Sequence, residues 1–340
     1  MAPVPYFIEP LATEDRPDFE AVPADIVPQL ENIIGGKIIS ASTLSGGFSP
    51  TACFQLARQD GRVFFCKGAH PQDVSHATQN IRQEILLYKN IPELATFSPA
   101  YHGYVADGDE DGWFLGLWNY IEPAVIDSQT EIHRAFSLLS QLQKITVNDK
   151  MTRVDTVPYF QGFLSAEKKW KRFQDSDHAE KFCTLFENRS AAKQWLQKSL
   201  PILMEHQDRI KQMTGPAGFF HGDLRGDNIL HARECSYIID WANGGFGPQA
   251  FDTVFLCCHL SAMTGISFDH LWQQAESLGC AIADKTALLA AISGYFADQA
   301  YRPIPERLPR LRWMQKSMLR AALLGLSEEH LLPAPPIFLR

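Results

Sequence analysis

An aspartate, an asparagine five residues on, and a second aspartate after a short apolar run stand close together in this chain. They lie in His221-Gly-Asp-Leu-Arg-Gly-Asp-Asn-Ile-Leu230 and in Tyr237-Ile-Ile-Asp-Trp241. Phosphoryl transfer from a nucleotide needs such a set. One carboxylate orients the attacking hydroxyl and accepts its proton, while an amide and a second carboxylate hold the metal ions that neutralise the phosphates. On this pattern Asp223 is the expected base, and Asn228 and Asp240 the expected metal ligands.

That chemistry also needs a place for the nucleotide. Ser45-Gly46-Gly47-Phe48-Ser49-Pro50-Thr51 separates two β-like segments. Its glycines would let the backbone approach phosphates closely and point N–H groups at them, although Gly-Gly also suits an ordinary hairpin turn. Lys67 ends the apolar run Val-Phe-Phe-Cys-Lys. A buried ammonium wants a partner, so Lys67 either meets the α- and β-phosphates or reaches solvent past Gly68. Glu84 is the only acid between Val74 and Pro92. It flanks an apolar helix face and either pairs with Lys67 or stays solvated.

The elements around these residues follow from periodicity and turn chemistry. Residues 1 to about 24 are rich in proline and acids and are expected to form an irregular arm. A helix over Ala24–Ile34 should end at Gly35-Gly36. Strands are expected at Lys37–Leu44, Thr51–Arg58 and Val63–Lys67, with Gln59-Asp60-Gly61 as the hairpin turn. Ile81, Ile85 and Tyr88 share one face of a helix over Val74–Asn90, closed by Pro92. Strands at Tyr101–Val105 and Trp113–Ile121 flank an acidic turn at Asp107–Gly112. Glu122-Pro123 marks the boundary. Beyond it helices dominate, at Glu131–Ile145, Ser165–Asp175 and Ala191–Lys211, and again from Phe251, Leu271, Ala287 and Leu311. The expected organisation is an arm with the start of a leading helix (1–29), a nucleotide-binding half (30–122) and a helical catalytic and substrate-binding half (123–340).

Composition narrows the function further. The 340 residues are 45% hydrophobic, enough for a sizeable core in two lobes. A formal charge of −8 without a long basic run does not suggest nucleic-acid binding. No apolar run approaches the roughly 18 residues that span a bilayer, and no basic segment precedes an apolar one at the N-terminus. Seven cysteines without a Cys-x-x-Cys pair point to reduced, mostly buried thiols in a cytoplasmic protein.

The ordered set of Gly-rich turn, strand lysine, helix glutamate, Asp…Asn loop and late Asp resembles the protein kinase-like fold in its small-molecule branch. His-Gly-Asp-Leu-x-x-x-Asn-Ile-Leu, Ile-Asp-Trp and the following Gly247-Pro-Gln-Ala-Phe-Asp252 are similar to the aminoglycoside phosphotransferase and choline kinase-like family. The likeness extends over about residues 30 to 325. It implies an α+β, bilobal fold: a small antiparallel-sheet lobe with one main helix, and a larger, mostly helical lobe. It also implies an ATP-dependent (GTP is possible) Mg2+-requiring phosphotransferase acting on a hydroxyl of a small molecule, with neither nucleic acid nor membrane as partner.

Carried over residue by residue, the resemblance makes Asp223 the base, and Asn228 and Asp240 the magnesium ligands. Lys67 contacts the phosphates and is oriented by Glu84. The loop through Ser45, Gly46, Gly47, Phe48 and Ser49 covers the phosphates. Asn119, Tyr120 and Ile121 form the hinge for the adenine edge. Arg225 reaches the γ-phosphate, or else pairs structurally with Asp227. His221 and Asp252 become structural, the latter capping backbone N–H groups. Phe65, two before Lys67, Gln143 and Ala242 depart from the usual pattern. The acceptor stays open: an aminoglycoside, choline or ethanolamine, homoserine, an amino sugar or a macrolide. A nucleotide-binding pseudokinase is the competing class. Tyr159, Phe160, Phe163, Trp170 and Phe173 would form an aromatic cage for a cation or else helix core, and Asp175, Asp177 and Glu180 lie nearby.

Overall fold

The computed structural model describes residues 7, 9–69, 77–107, 112–145, 169–213 and 217–339. Helix α1 (Val27–Ile34) stops where Gly35 takes a left-handed φ of 71°, a conformation that costs glycine little. Strands β1 (Ile38–Thr43), β2 (Ala52–Arg58) and β3 (Val63–Ala69) follow as an antiparallel meander. The Asp60-Gly61 turn joins the last two, with Gly61 at φ 86°. Helix α2 (Ala77–Asn90) leads to β4 (Tyr101–Ala106) and β5 (Phe114–Asn119). The five strands form one sheet in the order β1-β2-β3-β5-β4. Lys67 pairs across the ladder with Cys53 and Gly116, which sets it mid-sheet. Leu30, Phe54, Leu56, Cys66, Leu115 and Leu117 build the core of this lobe.

The larger lobe begins with α3 (Ser128–Leu142), whose Asp127 side chain accepts from two N–H groups of the first turn. Helices α4 (Ser176–Cys183) and α5 (Arg189–Asp208) precede two short two-stranded sheets that carry the His221–Trp241 stretch. One pairs β6 (Ala217–Phe220) with β9 (Gly245–Pro248), and the other pairs β7 (Ile229–His231) with β8 (Ser236–Ile238). Helices α6 (Ala250–Thr264), α7 (Phe268–Ser277), α8 (Lys285–Ala300) and α9 (Leu311–Glu328) complete it. Among the described residues no helix is long and apolar enough to cross a membrane.

The fold class is as expected, with local corrections. Three- and four-residue strands are too short to show periodicity, so the two small sheets within 217–248 had no signal. In the helix expected over Ser165–Asp175, only residues from 169 onward lie within the described set. There the chain makes a single 3-10 turn, Trp170–Gln174, because Asp175 starts α4 by accepting from Asp177 and His178. Residues 74–76 of the α2 prediction and most of the acidic turn (108–111) lie outside the described residues. All seven cysteines are free thiols, and only Cys235 is exposed.

The aromatic cluster divides likewise. Tyr159, Phe160 and Phe163 lie outside the described residues. Trp170 and Phe173 are buried against Phe182 in the large core, and the Trp170 indole donates to the Ala290 carbonyl at 2.8 Å. These two are packing residues. Trp170→Ala should therefore lower unfolding free energy by about 3–5 kcal/mol, read from urea denaturation. Unchanged stability would return Trp170 to the list of ligand contacts.

Candidate active site

The site sits where three elements meet Lys67. Its ammonium lies 2.9 Å from Glu84 Oε2 on α2 and 2.7 Å from Asp240 Oδ1, which arrives from the large lobe. Burial alone would lower the lysine pKa, but the two carboxylates outweigh it and raise it, so the ammonium stays charged. Burial raises the Glu84 pKa, and Lys67 opposes the rise. Burial also pushes Asp240 upward, but the charge of Lys67 wins and holds it below the ordinary range. Asp240 adopts a left-handed φ of 63°, which Asp tolerates better than most side chains.

The His221–Leu230 stretch is folded by polar contacts within it and from α6. Gly222 has φ 81°, and a Cβ there would fall 2.2 Å from the Asn243 carbonyl, so only glycine fits. The Asp252 carboxylate accepts the N–H groups of His221 at 2.6 Å and Gly222 at 2.9 Å. Burial pushes its pKa up to about 7 against those two bonds. His221 Nδ1 accepts from the Asp223 N–H, so Nε2 carries the proton and donates to the Ile239 carbonyl at 2.9 Å. Burial drops this imidazole to about 4 and keeps it neutral. His221 and Asp252 are thus structural.

Asp223 is buried, and Arg225 Nη1 donates to both its carboxylate oxygens, at 3.1 and 2.9 Å. The same guanidinium donates through Nε to Asp227 at 2.8 Å. Arg225 therefore does more than pair with Asp227: it bridges the two acids. Burial lifts Asp223 to about 7, reinforced by Asp240, Asp227 and Asp252 and opposed by Arg225. His259 on α6 accepts the Gly226 N–H at 3.0 Å and sits 3.4 Å from Asp227, closing the loop from behind.

A cleft of about 310 Å3 runs between the lobes. Its wall joins Ser45, Gly46, Gly47, Phe48 and Ser49 with Lys67 and Glu84, the segment Asn119–Ile121, Asn228 and Asp240. Asp223 and Arg225 are not on that wall. Arg225 instead reaches it through Phe48, with its guanidinium carbon 5.3 Å from the ring centroid. Phe65 and Trp118, cross-strand partners 6.2 Å apart, line the same cleft. Leu230 and Ile239 line it from the large lobe; their apolar flanks beside Asn228 and Asp240 were the signal that could have found them. Arg16 also lines it, and nothing in the proline-rich arm announced that.

The oxygens available to a cation are specific. The Asn228 amide donates through Nδ2 to the Asp223 carbonyl at 2.9 Å, and no described residue donates to its Oδ1. Asp240 gives Oδ1 to Lys67, and no described residue donates to its Oδ2. Among the described residues no group of three or more His, Cys, Asp or Glu could hold a metal by itself. One or two protein oxygens completed by phosphates and water suit magnesium, which resists full dehydration. The departures noted above are also explained. Gln143 ties Gln249, Thr253 and Ala281 together by hydrogen bonds, and Ala242 is buried in the turn after Asp240.

Residues 40–289 match the model of the phosphotransferase enzyme family. No curated protein matches the chain. Spectinomycin phosphotransferase APH(9)-Ia, solved with ADP and spectinomycin, superposes with a TM-score of 0.56 at 14% identity, over 90% of this chain and 98% of that one. Macrolide 2'-phosphotransferase MphH from Brachybacterium faecium gives 0.52 at 15% identity, over 80% and 90%. Amicoumacin kinase hAmiN, solved with AMP-PNP, gives 0.51 at 12% identity, over 88% and 94%. These are likenesses of fold.

Asp252→Ala removes the acceptor of two buried N–H groups and should cost about 2–5 kcal/mol. The readout is a lower urea midpoint at constant slope. An unchanged midpoint would mean that water or another group satisfies the loop equally well.

Proposed function

We propose, for a chain that belongs to the phosphotransferase enzyme family, ATP-dependent phosphorylation of a hydroxyl on a small molecule. The observation that carries this reading is the Lys67 junction. One ammonium between Glu84 and Asp240 stands under a glycine loop in the same cleft as Asn228. A fold neighbour solved with ADP and another solved with AMP-PNP support a nucleotide in that cleft.

In this reading the adenine meets the hinge. The Tyr120 N–H donates to the Val63 carbonyl at 3.3 Å, while no described residue accepts from Ile121, so the Ile121 N–H is the donor for the base edge. Phe65 and Trp118 flank the ring, and Leu230 and Ile239 supply apolar surface from the other lobe. Lys67 contacts the α- and β-phosphates, held in place by Glu84. Asn228 Oδ1 and Asp240 Oδ2 would hold magnesium, whose chemistry there is neutralisation of phosphate charge.

Asp223 orients the acceptor hydroxyl and takes its proton as the new O–P bond forms. The bond from the γ-phosphorus to the β-phosphate oxygen breaks, and ADP leaves. Arg225 touches the base now and is within the same loop as the transferring group's path. Releasing one Asp223 oxygen would let it meet charge developing on the γ-phosphoryl. Most of the rate then comes from positioning and charge neutralisation.

The acceptor class remains that of a small hydroxylated molecule. Asp175 caps α4, Asp177 pairs with Lys181, and Glu180 pairs with Lys193 at the surface. Those acids therefore lend no support to a polycation site. The deciding experiment is nucleoside-diphosphate release with Mg-ATP and Mg-GTP across aminoglycosides, macrolides, choline, ethanolamine, homoserine, amino sugars and nucleosides. Release should require one acceptor. A chain that bound nucleotide but released none with any acceptor would favour the pseudokinase class.

Asp223→Asn should cut kcat by about a hundredfold or more with nucleotide affinity retained. Survival of turnover would remove Asp223 as the base. The active form of Asp223 is the carboxylate, so kcat/KM should fall as pH drops through about 7. Arg225 holds that pKa down, so Arg225→Gln should move the acid limb to higher pH. A limb that stayed in place would separate Arg225 from the base.

A further inference from the structure

The loop that covers the proposed phosphate site is held through its carbonyls by guanidinium groups. Arg16 of the N-terminal arm donates to the carbonyls of Leu44, at 3.0 Å, and Gly46. Arg310, at the start of α9, donates to the Gly47 carbonyl at 3.1 Å, and Arg307 donates to the Pro50 carbonyl at 3.2 Å. Four carbonyls along one loop are thus engaged by guanidinium groups. By contrast, no described residue accepts from the N–H groups of Gly46, Gly47 or Phe48. Gly46 and Gly47 have φ of 111° and 72°, and successive N–H groups in such a turn make an anion-binding concavity.

The clamp is itself anchored. Arg310 donates to Glu9 at 2.9 Å and to both oxygens of Glu14, one at 3.0 Å, and Glu14 is buried. The Asp15 N–H donates to the Arg307 carbonyl at 3.2 Å, and Trp313 of α9 donates to the Phe7 carbonyl at 3.2 Å. Farther along, Asp18 accepts from Thr43 of β1 at 3.1 Å. The arm therefore runs from α9 of the large lobe to β1 of the small lobe, past the glycine loop. At the loop tip the Phe48 ring lies between Arg310, at 5.5 Å, and Arg225 of the catalytic stretch, at 5.3 Å.

We propose that the N-terminal arm and Arg310 are positioning elements for the phosphate-covering loop: they fix it by its carbonyls, so that its N–H groups face the nucleotide phosphates before the nucleotide arrives. This rests on the nucleotide reading above. A loop with two adjacent glycines loses much backbone freedom when it orders on a ligand. A loop already ordered by charge-assisted bonds avoids that loss at the binding step. The effect acts on the phosphates and leaves the adenosine contacts at the hinge untouched.

The test compares the full chain with Arg310→Ala, Glu14→Gln and Arg310→Lys, measuring dissociation constants for Mg-ATP and for adenosine alongside thermal midpoints. Arg310→Ala should weaken Mg-ATP by about ten- to a hundredfold, with adenosine within about twofold. Glu14→Gln, which leaves Arg310 in place, should weaken Mg-ATP in the same direction and serves if Arg310→Ala fails to fold. Arg310→Lys keeps the charge and one donor and should recover part of the loss. Equal weakening of ATP and adenosine would mean a general structural role, and unchanged ATP affinity in folded variants would mean no role; either overturns the proposal. Wild-type protein that bound adenosine but not Mg-ATP would likewise overturn it, and wild-type protein that bound neither would fail the nucleotide reading itself.

Discussion

The ammonium of Lys67 is the constraint on which the rest of the site depends. It is nearly enclosed, with 13% of its side chain exposed, and a charge in that position is tolerable only with partners. Glu84 and Asp240 supply them from α2 and from the large lobe. Two carboxylates around one ammonium leave an excess of negative charge, and the neighbouring Asp223–Arg225–Asp227 group repeats that balance. Burial keeps His221 and His259 neutral, each at about 4. The cleft wall carries three carboxylates, Glu84, Asp227 and Asp240, against the cations Lys67 and Arg16, a net negative charge that would suit a divalent cation.

The same junction ties the lobes together. Glu84 accepts the Trp241 N–H at 3.3 Å through the oxygen that Lys67 does not use. Trp241 stacks on Phe219 of β6, 5.7 Å between centroids, and its indole donates to Ser98 at 2.7 Å. Helix α2 packs on both β3 and the turn at Trp241–Asn243. One helix therefore registers the lysine strand against the turn that bears Asp240. A displacement of α2 would separate Lys67 from one of its two acids, and the resulting unpaired buried charge would oppose the movement.

What could be read from the chain follows from how far apart the interacting residues are. The Asp223…Asn228…Asp240 spacing was legible because it lies within one short stretch, and the meander was legible from alternation and the Asp60-Gly61 turn. Lys67 and Glu84 were found by a polar residue in an apolar context and by order along the chain. The bridge from Arg225 to both Asp223 and Asp227 was only half visible, since i,i+2 spacing does not say which of two neighbouring acids a guanidinium will take. Glu14 and Arg310 are 296 positions apart, and contacts of that kind leave no periodic trace. The arm read as irregular because it is irregular; its order comes from ion pairs and backbone bonds to other elements. Trp170 and Phe173 were ambiguous for a different reason, because an aromatic cage and a helix core have the same composition.

The limit of legibility at the acceptor has a physical basis. Charge matching restricts the Lys67 side of the cleft: a buried ammonium, its two carboxylates, an amide and a glycine turn admit few substitutions. The acceptor half has only to present a hydroxyl to the proposed base, and shape can achieve that with many sequences. The Phe48 ring lies 5.3 Å from the Arg225 guanidinium carbon and 5.5 Å from that of Arg310. The loop tip therefore touches both the stretch that bears Asp223 and the start of α9. One aromatic side chain thus links a guanidinium at the start of α9 to another within the His221–Leu230 stretch.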